Sequence, residues 1–126
     1  MYRCLVLALA LLASIGPATA QVQRNFPQDA LRGEVTVGVP PDLSINGQNA
    51  RLAPGSRIRD QNNMLAMSAS LSGARFTAHF TMDTGGEVKD LWILRADEVA
   101  NQPWPATTKE AQTWAFDPAA QRWTRR

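Results

Sequence analysis

The chain is almost without cysteine: among its 126 residues only Cys4 is one. That residue lies in a segment expected to be removed, so neither a disulfide nor a thiolate metal site is available to what remains. Histidine is equally scarce. His79 stands alone, with no second His or Cys to complete a zinc set, and its default reading is a surface side chain. Charge of one sign is also lacking, since thirteen Lys and Arg face eleven Asp and Glu, and the basic side is almost all arginine. A chain this close to balance is a poor general polyanion binder, and nucleic acid is not expected as a partner. There is no Gly-x-Ser-x-Gly elbow and no phosphate-loop glycine pattern, so a hydrolase triad and a nucleotide cradle have no support. No cofactor or metal is expected. Nor is there a membrane-length apolar run, because Leu5 to Ala13 falls well short of the ~20 residues that span a bilayer.

That short run has a different use. Arg3 gives a positive start, Leu5 to Ala13 is an unbroken apolar stretch, and Gly16 and Pro17 end any helix. Ala18-Thr19-Ala20 then supplies small residues where a signal peptidase reads. Residues 1–20 therefore read as a cleaved signal peptide, with the mature chain beginning at Gln21. Cys4 lies far from the cut, which excludes a lipid-anchored cysteine there. About a hundred residues remain, enough for one domain to bury a working core unaided.

Residues 21–30 are polar and are expected to form a flexible arm. From 31 the pattern turns β. Leu31, Gly33, Val35, Val37 and Val39 alternate with Arg32, Glu34 and Thr36, the period of a half-buried strand. Asn46-Gly47 is the preferred pair for a two-residue type I′ hairpin, which sets Ile45 against Gln48 and Leu43 against Ala50. Ala53-Pro54-Gly55-Ser56 reads as a second turn, with Gly55 in a type I position that tolerates a side chain. Met64 to Leu71 alternates as a strand would, although its Met, Leu and Ala content would equally suit a short helix; its place between two β segments favours strand. Ala74 to Met82 alternates cleanly, and Leu91-Trp92-Ile93-Leu94 suggests a strand covered on both faces, or one with a bulge near Lys89-Asp90. Residues 31–95 thus form a β core, and 96–126 a Trp-rich extension expected to pack on it. In that extension Ala96 to Ala100 suits one helical turn, Thr107 and Glu110 have capping-box spacing, and 113–123 suits a hairpin turning at Asp117-Pro118. The expected fold is all-β: a small antiparallel barrel or sandwich of about six strands, of OB-like or SH3-like size.

The chemistry-bearing residues are few. Phe80-Thr81-Met82-Asp83-Thr84-Gly85-Gly86 is similar to the Asp-Thr-Gly loop of aspartic proteases, where two such carboxylates share a proton and activate water. One copy would require a homodimer built around Asp83. The glycine-ended apolar stretch that follows in that family is missing, because Leu91 to Leu94 runs into Arg95 and Asp97, and the same residues suit a hairpin turn. Arg57, Arg59 and Arg75, with Arg51, would form a basic patch if their strands adjoin. All four tryptophans lie in the last third of the chain, and Trp104, between two prolines, is the one expected to be partly exposed as a contact residue.

Arg51-Leu52-Ala53-Pro54-Gly55-Ser56-Arg57-Ile58-Arg59, with Leu91-Trp92-Ile93-Leu94 downstream, resembles a group of small exported bacterial β proteins of unknown function. The resemblance implies an envelope or periplasmic setting, and no activity or site. The expectation is a non-catalytic exported envelope module, periplasmic before extracellular, that binds a protein or glycan partner through Trp104, Arg57, Arg59 and Arg75. Its rivals are the Asp83 homodimer and a small-ligand carrier with an apolar lumen between Val35, Phe76 and Phe80.

Overall fold

The computed structural model describes residues 23–126. The export segment, Cys4 and the mature start at Gln21 lie outside the described residues. Five strands close into a barrel: β1 (Leu31–Val37), β2 (Asp42–Ile45), β3 (Gln48–Arg59), β5 (Arg75–Met82) and β6 (Val88–Ile93). The two-residue β4 (Leu65–Ala66) adds to β3. β1 pairs with β2 and β5, β5 with β6, β6 with β3, and β3 returns to β2. The fold is all-β, and five strands with a Greek-key crossing make it OB-like in size. It is not wholly antiparallel, because β3 and β6 run parallel. Between them β5 runs back antiparallel to β6, and β3 reaches β5 through β4 and a 3-10 turn at Ser68–Leu71.

The interior follows from alternation. Leu31, Val35, Val37, Leu43, Leu52, Ile58, Ala78, Phe80, Val88, Leu91 and Ile93 form one buried cluster, and Phe76 lies against it. Val35 and Phe80, two of the residues expected around a lumen, are thus part of a packed core. The β2–β3 hairpin has the expected register, with Ile45 opposite Gln48 and Leu43 opposite Ala50. Asn46 (φ 53°) and Gly47 (φ 80°) both take the left-handed backbone that a type I′ turn needs. Between β5 and β6 the register slips at Thr81 and Met82, so Lys89 is the extra residue of a bulge.

Two expectations are corrected. Ala53 to Ser56 is not a turn, because β3 continues through it. Its register against β6 jumps between Leu52 and Arg57, and Gly55, at φ 78°, carries the kink. Met64 to Leu71 is not one strand either. Only Leu65 and Ala66 pair, and the chain then coils into the 3-10 turn, leaving Met64, Leu65 and Met67 exposed. Asp60 causes the early break, since its Oδ1 accepts from the backbone N–H of Asn62 and Met64.

Beyond β6 lie α1 (Ala96–Val99), α2 (Thr108–Thr113) and a separate hairpin of β7 (Ala115–Asp117) and β8 (Arg122–Thr124). Thr107 caps α2 by accepting from Glu110 N. The hairpin turns at 118–121 and sets Phe116 opposite Trp123.

A Cβ added to Gly47 or Gly55 would meet no atom within 4 Å, so a side chain at either costs backbone strain alone. Gly47→Val is expected to lose about 1–3 kcal/mol, the usual penalty for a sparsely populated backbone region. Gly55→Ala is expected to lose stability as well, on the order of 1 kcal/mol. Thermal melts check both; wild-type melting of Gly55→Ala would remove the kink from β3.

Candidate functional site

The outer wall of the barrel is not left to water. In β5 four successive residues, Ala78 to Thr81, are buried, so both faces of that strand are covered. One row across the wall shows why: Arg59, Trp92, His79 and Arg32 are register partners on β3, β6, β5 and β1. Over the row lies a second apolar cluster of Phe26, Ala30, Leu94, Trp104 and Trp123, with Trp92, Trp114 and Phe116 packed against it.

His79 is therefore not a surface residue. It is 1% exposed, stacks on Trp104 with ring centroids 4.1 Å apart, and meets the edge of Phe26 at 4.3 Å. Alternation places it correctly on the side away from the barrel core, but the C-terminal layer covers that side. Burial, aided by the nearby cations Arg32 and Arg24, holds its pKa down to about 2, so the ring is neutral. Arg32 Nε donates to His79 Nε2 at 3.2 Å. The rest of that guanidinium donates to the carbonyls of Glu98 and Val99 at the end of α1, and lies 5.5 Å from the Trp104 ring.

Trp104 is likewise corrected from partly exposed to buried. Its Nε1 donates to Ala30 O at 2.9 Å, and the extended backbone that the flanking prolines impose lets Pro105 O accept from Arg32 N. The expected arm is corrected too, because Arg24, Phe26 and Ala30 are buried. Arg24 forms a two-pronged ion pair with Glu98, and donates to Asp60 O and Ile93 O at 2.8 Å each. Gln121 holds Phe26 as a neighbouring strand would, its Oε1 accepting from Phe26 N at 2.9 Å and its Nε2 donating to Phe26 O at 3.4 Å.

The remaining predicted residues do not come together. Arg57 and Arg59 sit on β3 and Arg75 on β5, with β6 between them. Arg57 is exposed and opposite Asp90, Arg59 donates to Asn63 O, and Arg75 is spent on Glu34 at 3.4 Å. No basic patch forms from them. Asp83 is a turn residue: its Oδ1 accepts from the backbone N–H of Gly85 and Glu87, each at 2.9 Å. Among the described residues no three His, Cys, Asp or Glu side chains converge on a common point, and no helix is long and apolar enough to cross a membrane.

What sequence reasoning missed is a groove of about 980 Å³ along the seam between barrel and extension. Leu31, Met82, Ala111, Trp114 and Phe116 give it apolar walls, and Gln28, Asp29, Asp83, Thr108, Gln112 and Arg126 surround them. The aromatic faces are engaged: the Arg125 guanidinium lies 5.1 Å from the Trp114 ring, and Phe116 stacks on Trp123 at 4.7 Å. Its walls come from segments far apart in the chain, so no local motif announces it. The clustering of tryptophans in the last third is the one signal of it in the sequence.

The chain matches no protein-family model, no curated protein and no solved structure.

Two predictions test its construction. His79 has its pKa lowered from 6.5 on folding, so below pH 6.5 the unfolded chain binds a proton that the folded chain refuses. Stability is expected to fall as pH drops from about 6.5 towards 5, with a slope approaching 1.4 kcal/mol per pH unit. His79→Phe should flatten that limb in denaturant titrations at stepped pH. Removing one partner of the buried pair, Glu98→Ala, is expected to cost about 3–5 kcal/mol, whereas Arg24→Met with Glu98→Leu should recover most of it. A double variant as unstable as the single one would show that hydrogen bonding by Arg24, rather than its charge, holds the arm.

Proposed function

We propose that the chain is a non-catalytic exported envelope module that binds a partner protein in the groove between barrel and C-terminal layer. The observation that carries this is the groove's make-up. Aliphatic walls from Leu31, Met82 and Ala111 lie between amide and charged side chains of both signs, Gln28, Asp29, Gln112 and Arg126. An extended segment needs this combination, with apolar surface for its side chains and donors and acceptors for its backbone.

The glycan reading has less in its favour. Sugar recognition uses an uncovered aromatic face, and here Arg125 covers Trp114 while Phe116 is stacked on Trp123. The export half of the proposal rests on residues 1–20 and on the resemblance of 51–59 and 91–94 to small exported bacterial proteins. A carrier would need space where Val35 and Phe80 are packed. A protease would need an Asp83 carboxylate that is not already a turn acceptor.

The test is capture from the native envelope with the mature chain, beside two variants that block the groove from exposed positions, Met82→Arg and Gln112→Arg. Arg57→Glu and Arg75→Glu serve as controls. A protein retained by wild type and controls, lost with both groove variants, and bound again when purified alone is the expected result. Retention by the groove variants, or loss with the arginine controls, would move the contact elsewhere. Glycan fragments bound by wild type but not by Met82→Arg would replace protein with sugar.

A further inference from the structure

Methionine is ordinarily among the buried residue types. Here neither apolar cluster contains one. The described residues hold three methionines, and all are exposed: Met67 by 76%, Met64 by 64% and Met82 by 38%. They are also the only sulfur-bearing side chains among the described residues. Sulfur is the side-chain atom that two-electron oxidants attack first, and the rate follows exposure. Whatever such oxidants do to this part of the chain therefore falls on its methionines.

Met64 and Met67 stand on an ordered support. Asp60 Oδ1 accepts from Met64 N at 3.0 Å, and Asp60 N donates to Met64 O at 2.8 Å. Met67 O accepts from Ser70 N at 3.1 Å and from Ser70 Oγ at 2.7 Å. Between them Ala66, opposite Ile58 on β3, is the residue that packs against the core, while Leu65 faces out beside Arg59. The segment is thus held by its backbone and by Ala66. Its two thioethers project into water and pack in neither cluster.

We propose that Met64 and Met67 form a reversible oxidation site, converted to sulfoxides by a hydroperoxide and restored by a thiol-dependent methionine sulfoxide reductase. In the forward step a sulfur lone pair attacks one peroxide oxygen. The S–O bond forms, the O–O bond breaks and water leaves, so sulfur loses two electrons and the peroxide gains them. In the return step two thiols become a disulfide and the sulfoxide oxygen departs as water. A sulfoxide is polar, and buried in a core it would disrupt packing; at these positions it stays in water and leaves the fold intact. What changes is the surface, because two of the three side chains in the apolar patch of Met64, Leu65 and Met67 become polar. Neither methionine lines the groove, so the site would stand if the partner reading fell.

The experiment treats the mature chain with hydrogen peroxide at neutral pH and follows each methionine by peptide mass spectrometry. Met64 and Met67 are expected to gain one oxygen each several-fold faster than Met82, and in denaturant all three should react alike. A sample oxidised at Met64 and Met67 alone should melt with the untreated chain. Methionine sulfoxide reductases of both epimer specificities, supplied with dithiothreitol, should return both residues to thioethers without unfolding. In Met64→Leu with Met67→Leu, oxidation at Met82 should keep its wild-type rate. Met82 reacting as fast as the pair in the folded chain would overturn the proposal. So would a lowered melt on oxidation of the pair, or folded sulfoxides that both reductases leave untouched.

Discussion

The ion pair between Arg24 and Glu98 ties together parts of the chain that lie far apart in the sequence. One guanidinium joins the N-terminal segment to α1 through Glu98, to the end of β6 through Ile93 O, and to the loop after β3 through Asp60 O. Glu98 in turn accepts from Arg95 N and so fixes the first turn of α1, a helix too short to persist by itself. A buried ion pair is a weak source of net stability, since desolvation offsets most of the attraction. What it supplies is uniqueness. With both charges sealed under the second layer, any other placement of the arm or of α1 would strand one of them.

Once that tie is made, the second layer follows. Phe26 is delivered against His79 and Trp92, and Gln121 clasps its backbone, which seats the β7–β8 hairpin. Trp104 completes the stack over His79 and reaches Ala30 O, so the extension is anchored at both ends of the arm. The cost of the arrangement is carried by His79, a titratable group placed where its charged form is excluded. Acid sensitivity is thus built into the same layer that holds the chain ends together.

The parts of this fold legible in the sequence are those written over short distances. Asn46-Gly47 sets the hairpin register because the turn type and the Leu43–Ala50 pairing agree. The bulge at Lys89 is visible as a break in alternation, and the α2 cap as the Thr107–Glu110 spacing. Alternation fails where one strand serves two neighbours. Gly55 looks like a turn glycine after proline, yet β3 must bend there to leave β2 and join β6, and only tertiary pairing shows it. The same limit hides the site. The period of two puts His79 on the correct face of β5, but no local pattern says that this face is roofed by residues 26 and 104. Arg24 and Glu98, seventy-four positions apart, look like two ordinary surface charges until the chain is folded.

The barrel itself leaves little room for a ligand, because its interior is a packed cluster running from Leu31 to Ile93. The larger opening lies instead at the seam where the second layer meets the wall, and its shape is set by side chains from both. One aromatic cluster serves both parts of this layer: Phe116, stacked on Trp123, borders the groove, while Trp104 and Phe26 cover His79. The Trp104 ring centroid lies 5.9 Å from that of Phe116 and 6.1 Å from that of Trp123, so the two parts are one packed layer. In a layer held by packed rings, the groove's wall and the roof over His79 are therefore joined by contiguous contacts, so a substitution in either is felt by the other.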